Sequence, residues 1–134
     1  MTPAALAEAA EALIGTRFRL HGRNPSTGLD CIGLFAAAMA AAGPGCSVPT
    51  GYPLRMLDVA RWLPDPAGFG LGDAESPFKP GDVVMLRPSV GQFHLAIAGQ
   101  TGWVHAHAGL RRVVRQPNLP SGHLVHHWRL IPPN

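Results

Sequence analysis

Charged residues are scarce in this chain: Asp, Glu, Lys and Arg make up 14% of its 134 residues, against about 25% in an ordinary soluble domain. Such a composition is typical of a chain with a large buried fraction or a surface covered by a partner. The net charge is +3, and no basic block is long enough for a nucleic-acid-binding arm. The densest basic cluster is Arg111, Arg112 and Arg115, which we interpret as a solvated strand face, with a patch for an acidic partner as the alternative.

Cysteine and long apolar runs are also lacking. The two cysteines, Cys31 and Cys46, are too few to define a disulfide framework. No apolar run reaches the roughly 18 residues of a membrane span. The N-terminal stretch carries Glu8 and Glu11 and has no basic segment, so it is not typical of a secretory signal peptide. We therefore expect a protein made in the cytoplasm, with no membrane span.

Two helices are predicted in the first third of the chain. Thr2 can cap a helix whose first position suits Pro3, and Gly15 can end it. Asp30 is a good N-cap for a second helix over residues 31–42. This second segment is Ala-rich and apolar on every side, which is typical of a buried helix.

The second half of the chain follows a strand pattern. Residues 46–80 are predicted to be mostly loop, with one short helix near 54–63. Beyond them the sequence predicts strands at 83–87, 93–98, 102–108, 111–115 and 124–131. Their short, glycine-containing connections favour antiparallel hairpins. Helices followed by strands, without a linker of domain size, predict a single α+β domain over residues 1–134.

Cys31 is the candidate nucleophile. It lies in the first turn of the buried helix, where free backbone N–H groups favour a thiolate, the form that attacks carbonyl carbon. A cysteine at such a position is nevertheless more often a small buried residue. Cys46 lies in a Gly/Pro loop without comparable support.

Seven histidines could serve Cys31 as a base. If Gln100 and Thr101 form a two-residue turn, His94 faces His107 across a hairpin and is a diagonal neighbour of His105, all on one sheet face. Pairing geometry alone allows either later histidine to orient His94. The alternative is a zinc site made by these three histidines, a weak pattern without a nearby acidic residue. The remaining strand histidines, His123, His126 and His127, are expected to be half-exposed.

Several short motifs resemble the NlpC-type family of cell-wall cysteine peptidases, in that family's order and spacing. They cover roughly residues 4–115 and read GTRFRLHG at 15–22, TGLDCIGL at 27–34, PGDVV at 80–84, HLAI at 94–97 and WVHA at 103–106. The resemblance implies a papain-like α+β fold, with the nucleophile helix packed on an antiparallel sheet. It also implies catalysis by Cys31 as nucleophile, His94 as base and His105 as the orienting residue. The implied substrates are peptides of peptidoglycan, and no cofactor or metal is implied.

The chain departs from the family pattern at two positions near the nucleophile. The family usually has tyrosine where Phe18 stands, with its hydroxyl in the oxyanion site, and a small residue where Ile32 stands. Removing one oxyanion donor costs on the order of 3 kcal/mol in the transition state. His21 is a candidate replacement for that donor. We assign Phe18, His21, Asp30 and His107 to the oxyanion and substrate-binding part of the site.

The form of the nucleophile motif and the small size most resemble the phage-tail and gene-transfer-agent branch of the family. This resemblance implies tail proteins as partners and carriage in a phage-like tail, with peptidoglycan peptide as the substrate. A catalytically degenerate tail component that is structural or binds the wall is the main alternative. Phe18 and Ile32 favour that alternative.

Overall fold

The computed structural model describes residues 2–43 and 69–131. Within them the helices are α1 (Pro3–Glu11) and α2 (Cys31–Ala42). The strands are β1 (Arg23–Asn24), β2 (Gly28–Leu29), β3 (Leu71–Asp73), β4 (Val83–Arg87), β5 (His94–Ala98), β6 (Trp103–His107), β7 (Arg112–Gln116) and β8 (His123–Leu130). The helix predicted near 54–63 and Cys46 lie outside the described residues.

Both helices begin where the sequence predicts. The Thr2 hydroxyl accepts a hydrogen bond from the Ala5 N–H at 3.1 Å, and Pro3 occupies the first turn of α1. This helix ends at Glu11, earlier than the predicted stop at Gly15, and tight turns bridge the difference. The bounds of α2 are those predicted, with the Asp30 carboxylate capping the Gly33 N–H at 2.8 Å.

Six strands form one antiparallel sheet in the order β3-β8-β4-β5-β6-β7. The five strands predicted from the sequence are all present, with ends shifted by at most one residue. The short strands β1, β2 and β3 were not predicted, because segments of two or three residues are too short to show a period of two. In the six-stranded sheet the unpredicted strand is β3. It pairs with β8 at one sheet edge, while β7 at the other edge carries the exposed Arg112 and Arg115.

The hairpin of β5 and β6 has the register predicted for a turn at Gln100 and Thr101. Ala98 lies opposite Trp103 and Ile97 opposite Val104, but the ladder stops there. His94 and His105 therefore lie beyond the last paired residues. Each of them stays paired on its other side, His94 with Leu86 of β4 and His105 with Val114 of β7.

The sheet separates two apolar clusters. Both helices pack on one face, where Leu6, Phe35, Leu95 and Val104 belong to the main core. The smaller cluster is formed by Val84, Leu86, Ala96, Ala98 and Trp103, whose positions alternate with core positions along the strands and so lie on the other face. The predicted α+β arrangement, a nucleophile helix packed on an antiparallel sheet, is confirmed. None of the helices within 2–43 and 69–131 combines the length and apolarity needed to cross a membrane.

Candidate active site

Close backbone packing positions the first turn of α2. A Cβ atom added at Gly33 would overlap the carbonyl oxygen of Gly22, and one added at Gly22 would overlap that of Gly28. Only glycine allows this approach between the helix start and the loop around β1 and β2. The position of Cys31 is thereby fixed relative to that loop.

The Asp30 carboxylate joins the same loop to the helix start. Besides capping Gly33, it accepts the His21 backbone N–H at 2.8 Å and lies 3.3 Å from an Arg23 guanidinium nitrogen. Its exposed fraction is 3%. Asp30 thus borders the site with its oxygens already engaged in bonds within the protein, which makes it part of the framework around Cys31.

A cavity of about 620 Å³ opens beside Cys31. Its lining includes six residues assigned to the site from the sequence: Phe18, Asp30, Cys31, His94, His105 and His107. Ile32 and Leu119 also line it, and most of the lining is apolar. His21 is not among the lining residues; its backbone is in the left-handed region with φ 62°. The structure therefore brings the candidate nucleophile and three candidate histidines to one cleft.

The two central histidines contact each other directly. His94 Nε2 lies 2.8 Å from His105 Nδ1, with the rings at 85° to one another. The Nδ1 atom of His107 instead accepts the Leu110 N–H at 3.0 Å. Of the two histidines that pairing geometry allowed as the partner of His94, the hydrogen bond selects His105.

Gln116 is a site residue that the sequence analysis missed. Its Oε1 lies 2.8 Å from His105 Nε2. In the register of β6 and β7, Gln116 lies opposite Trp103. It is therefore on the sheet face that carries His105, and diagonal to that residue. The predicted strand ended at residue 115, one position too early. Extending the hairpin register by one residue would have found it.

Burial dominates the ionisation of the candidate pair. It raises the pKa of the Cys31 thiol to about 11, although hydrogen bonds from the backbone of Leu95 and Ile32 oppose the rise. Burial, then the nearby His105 and His107, lower the pKa of His94 to about 4. Desolvation by burial therefore works against the thiolate that the helix start is expected to favour. At neutral pH the pair consists of a thiol and a neutral imidazole.

A metal site is not supported by the same geometry. Within 2–43 and 69–131 no group of three or more His, Cys, Asp or Glu side chains is arranged to hold a metal ion. The nitrogen atoms that His94 and His105 turn toward each other are hydrogen-bonded to each other. They cannot also converge on a zinc ion without breaking that bond.

A second histidine network lies on the same sheet face but does not line the cleft. His127 Nε2 lies 2.6 Å from Asp82 Oδ2, and the Arg129 guanidinium binds both carboxylate oxygens at 2.7 and 2.8 Å. The exposed fraction of His127 is 9%, so its predicted half-exposure is wrong. Pairing with a buried carboxylate compensates the burial of this polar ring. His123 and His126 are exposed.

Among solved structures, 14 chains resemble this one. The NlpC/p60 domain of the peptidoglycan hydrolase SagA shares 24% identity over 87% of this chain and 90% of its own, with a TM-score of 0.60. The p60 domain of an antigen from M. avium subspecies paratuberculosis shares 17% over 96% and 93%, with a TM-score of 0.60. A Staphylococcus aureus protein similar to NLP/p60 lipoproteins shares 20% over 98% of this chain, but only 42% of its own, with a TM-score of 0.63. No protein-family model and no curated protein matches the chain. The likeness shows that the chain has the NlpC/p60 fold.

Proposed function

We propose that this protein is a cysteine peptidase of the NlpC type that hydrolyses peptide bonds in bacterial peptidoglycan. The observation that carries the proposal is one cleft lined by both Cys31 at a helix start and the hydrogen-bonded pair His94–His105. A nucleophile, a base and a residue that orients the base are the parts that acyl transfer by a thiol requires. The fold, shared with a domain of a peptidoglycan hydrolase, supports the choice of substrate.

The reaction begins from a neutral pair. As the Cys31 sulfur attacks the amide carbonyl, its proton passes to the free ring nitrogen of His94, since Nε2 of that ring is bonded to His105. The C–N bond then breaks, and the leaving amine takes the proton from His94. A water molecule, deprotonated by His94, hydrolyses the thioester and releases the acid and the thiol. His105 holds the imidazole of His94 in orientation throughout.

Delivery by a phage-like particle is the setting we propose for this activity. The form of the nucleophile motif and the low charge fraction of 14% support it. Made in the cytoplasm, the protein would associate with phage-tail or gene-transfer-agent tail proteins and open the wall during delivery. Co-purification of the protein with tail particles tests this setting. Finding the protein only in the fraction that is free of particles would contradict it.

The second candidate is a catalytically degenerate tail component that binds the wall. Phe18 favours it, because its ring lines the cleft without the hydroxyl that the family's tyrosine supplies. The burial that raises the pKa of Cys31 to about 11 also favours it.

Digestion of purified peptidoglycan, with fragments identified by mass, separates the candidates. We expect new peptide termini with the native protein and none with Cys31→Ala or after thiol alkylation. Activity should survive excess EDTA. Binding to the wall without cleavage would favour the degenerate component, and loss with EDTA followed by rescue with zinc would favour a metal hydrolase.

A further inference from the structure

We propose that Gln116 is a positioning residue that selects the protonated nitrogen of both histidines in the cleft. The proposal rests on the proposed function, because the selected form matters only if His94 acts as a base. It assigns a task to a residue outside the motifs that resemble the family, hydrogen-bonded to His105.

The orientation of the Gln116 amide is set by its other end. Its Nε2 donates a hydrogen bond to the backbone carbonyl of Asn118 at 2.9 Å. An NH₂ group can donate to a carbonyl but an amide oxygen cannot, so this contact turns Oε1 toward His105. The 2.8 Å contact between Oε1 and His105 Nε2 is the result.

The donor and acceptor in the hydrogen bonds Gln116–His105 and His105–His94 follow from that orientation. Because Oε1 only accepts, His105 Nε2 carries a proton. In a neutral imidazole the other nitrogen is then a bare acceptor, so His105 Nδ1 must receive the proton of His94 Nε2 across 2.8 Å. The remaining nitrogen of His94, Nδ1, is left with a free lone pair. That is the form needed to accept the proton of Cys31.

An amide suits this task because it carries no charge. Burial lowers the pKa of His105, and the hydrogen bond to Gln116 opposes that effect only in part. A carboxylate in the same place would accept the same bond but would also stabilise an imidazolium at His105. A protonated His105 has no bare nitrogen left to receive the His94 proton. Gln116 therefore fixes which nitrogen donates in each hydrogen bond and adds no charge to the two histidines.

The amide is also well held. Gln116 is the last residue of β7, half-buried, and its acceptor Asn118 lies two residues further along. Leu119 and Pro120, next in the chain, line the cleft, and Leu119 packs on the smaller apolar cluster. The segment that bounds one side of the cleft thus also fixes the end of the hydrogen-bond chain.

The test compares Gln116→Met, which has similar length but only a weak thioether acceptor, with Gln116→Glu, which keeps a strong acceptor. Gln100→Met on the exposed β5–β6 turn is the matched control. The first readout is nitrogen NMR of ¹⁵N-histidine-labelled protein without substrate. We expect Nε2–H forms of His94 and His105 in the native and control proteins, and an increased Nδ1–H fraction in Gln116→Met. Unchanged forms in Gln116→Met would overturn the proposal whatever the activity.

The second readout is kinetics on one muropeptide. In Gln116→Met, kcat should fall by roughly tenfold or more with little change in KM, because a wrong tautomer of His94 slows the chemical step without changing substrate contacts. Gln116→Glu should recover most of that loss, while the acid limb of its pH–rate profile moves to higher pH. A raised KM at unchanged kcat would make Gln116 a substrate contact and overturn the proposal.

Two results keep this proposal separate from the proposed function. If the native protein is inactive but Gln116→Met shows the expected NMR change, the proposed peptidase function is wrong and the assignment of Gln116 stands. If Gln116→Met does not fold, Gln116→Glu still decides, since the pH titration of His105 must shift upward beside a carboxylate. An unshifted titration would overturn the proposal.

Discussion

Two histidine networks lie on one face of the sheet, and they differ in what each histidine contacts. In the cleft, His94 contacts His105, which contacts the neutral amide of Gln116. Beside the smaller apolar cluster, His127 contacts Asp82, whose carboxylate also binds Arg129. One network ends on an uncharged group and opens to a cavity, whereas the other contains a fixed ion pair.

The charge of the partner decides what each histidine can do. Burial alone would raise the pKa of Asp82, yet bonds from Arg129 and His127 lower it. The ring of Phe78, 4.7 Å from His127, covers this pair. The His127 ring, held between the Asp82 carboxylate and the Phe78 ring, contributes to packing. A neutral ring facing a cleft keeps a lone pair for proton transfer.

The largest expected difference is in catalysis. His94→Gln should lower kcat on a muropeptide by about a thousandfold, the usual contribution of a general base. His127→Gln should leave kcat within about twofold of the native value, because no reacting group contacts His127. Parallel assays of the two variants check this, with thermal melting to confirm folding. Equal losses in both variants would contradict the division between the networks.

Stability should show the opposite pattern. Asp82→Asn should lower the free energy of unfolding by about 2 kcal/mol, because it removes the buried carboxylate charge that binds both His127 and the partly exposed Arg129. Asp73→Asn, at an exposed position of β3, is the matched control and should change little. Urea unfolding of the three proteins measures both. A loss below about 1 kcal/mol for Asp82→Asn would show that the pair is replaceable.

Acid should separate the networks by pH. His94 resists protonation in the folded state, where its pKa is about 4 instead of 6.5, so its contribution is complete above 6.5 and is lost as pH falls toward 4. For Asp82 the pKa is below 3.8, and its contribution is lost only at still lower pH. In a plot of unfolding free energy against pH, His94→Gln should therefore lose roughly 3 kcal/mol less than the native protein as pH falls from 6.5 to 4. Unfolding measured from pH 7 to 3 would contradict this if native and variant curves remain parallel.

The smallest expected effect concerns Phe18, on the cleft side of the comparison. Phe18→Tyr adds one oxygen at a residue that lines the open cavity, so stability should change little. If a missing oxyanion donor limits the rate, kcat should rise by up to about a hundredfold at similar KM. Paired kinetics on one muropeptide measure the change. No gain in a folded protein would mean that another donor, such as the backbone N–H of Cys31, already suffices.

Local patterns predicted most of the fold. Caps at Thr2 and Asp30 and the strand pattern from Val83 onward predicted elements that the structure contains, because these signals lie within a few residues of one another. The turn at Gln100 and Thr101 predicted the register that brings the histidines together. The three-residue strand β3 depends on pairing with β8, some 55 residues away, and leaves no local signal.

Ionisation and burial at the site could not be predicted in the same way. The helix start at Cys31 correctly indicated favourable backbone donors, but the larger effect is desolvation by the surrounding chain. His127 was expected at half-exposure as a strand histidine near the C-terminus, whereas it is buried and bonded to Asp82, 45 residues earlier. The roles of Cys31, His94, His105, His107, Phe18, His21 and Asp30 stay predictions.

The interlock of Gly22, Gly28 and Gly33 has a consequence for anyone redesigning this protein. Since backbone touches backbone there, the loop before α2 cannot be exchanged for a longer or bulkier one without displacing the helix start. Attempts to alter what the cleft accepts should therefore begin at another lining residue, the exposed Ser121, and leave the glycine side untouched. The glycine side of the cleft is the reference against which the nucleophile is aligned, and a redesign should keep it.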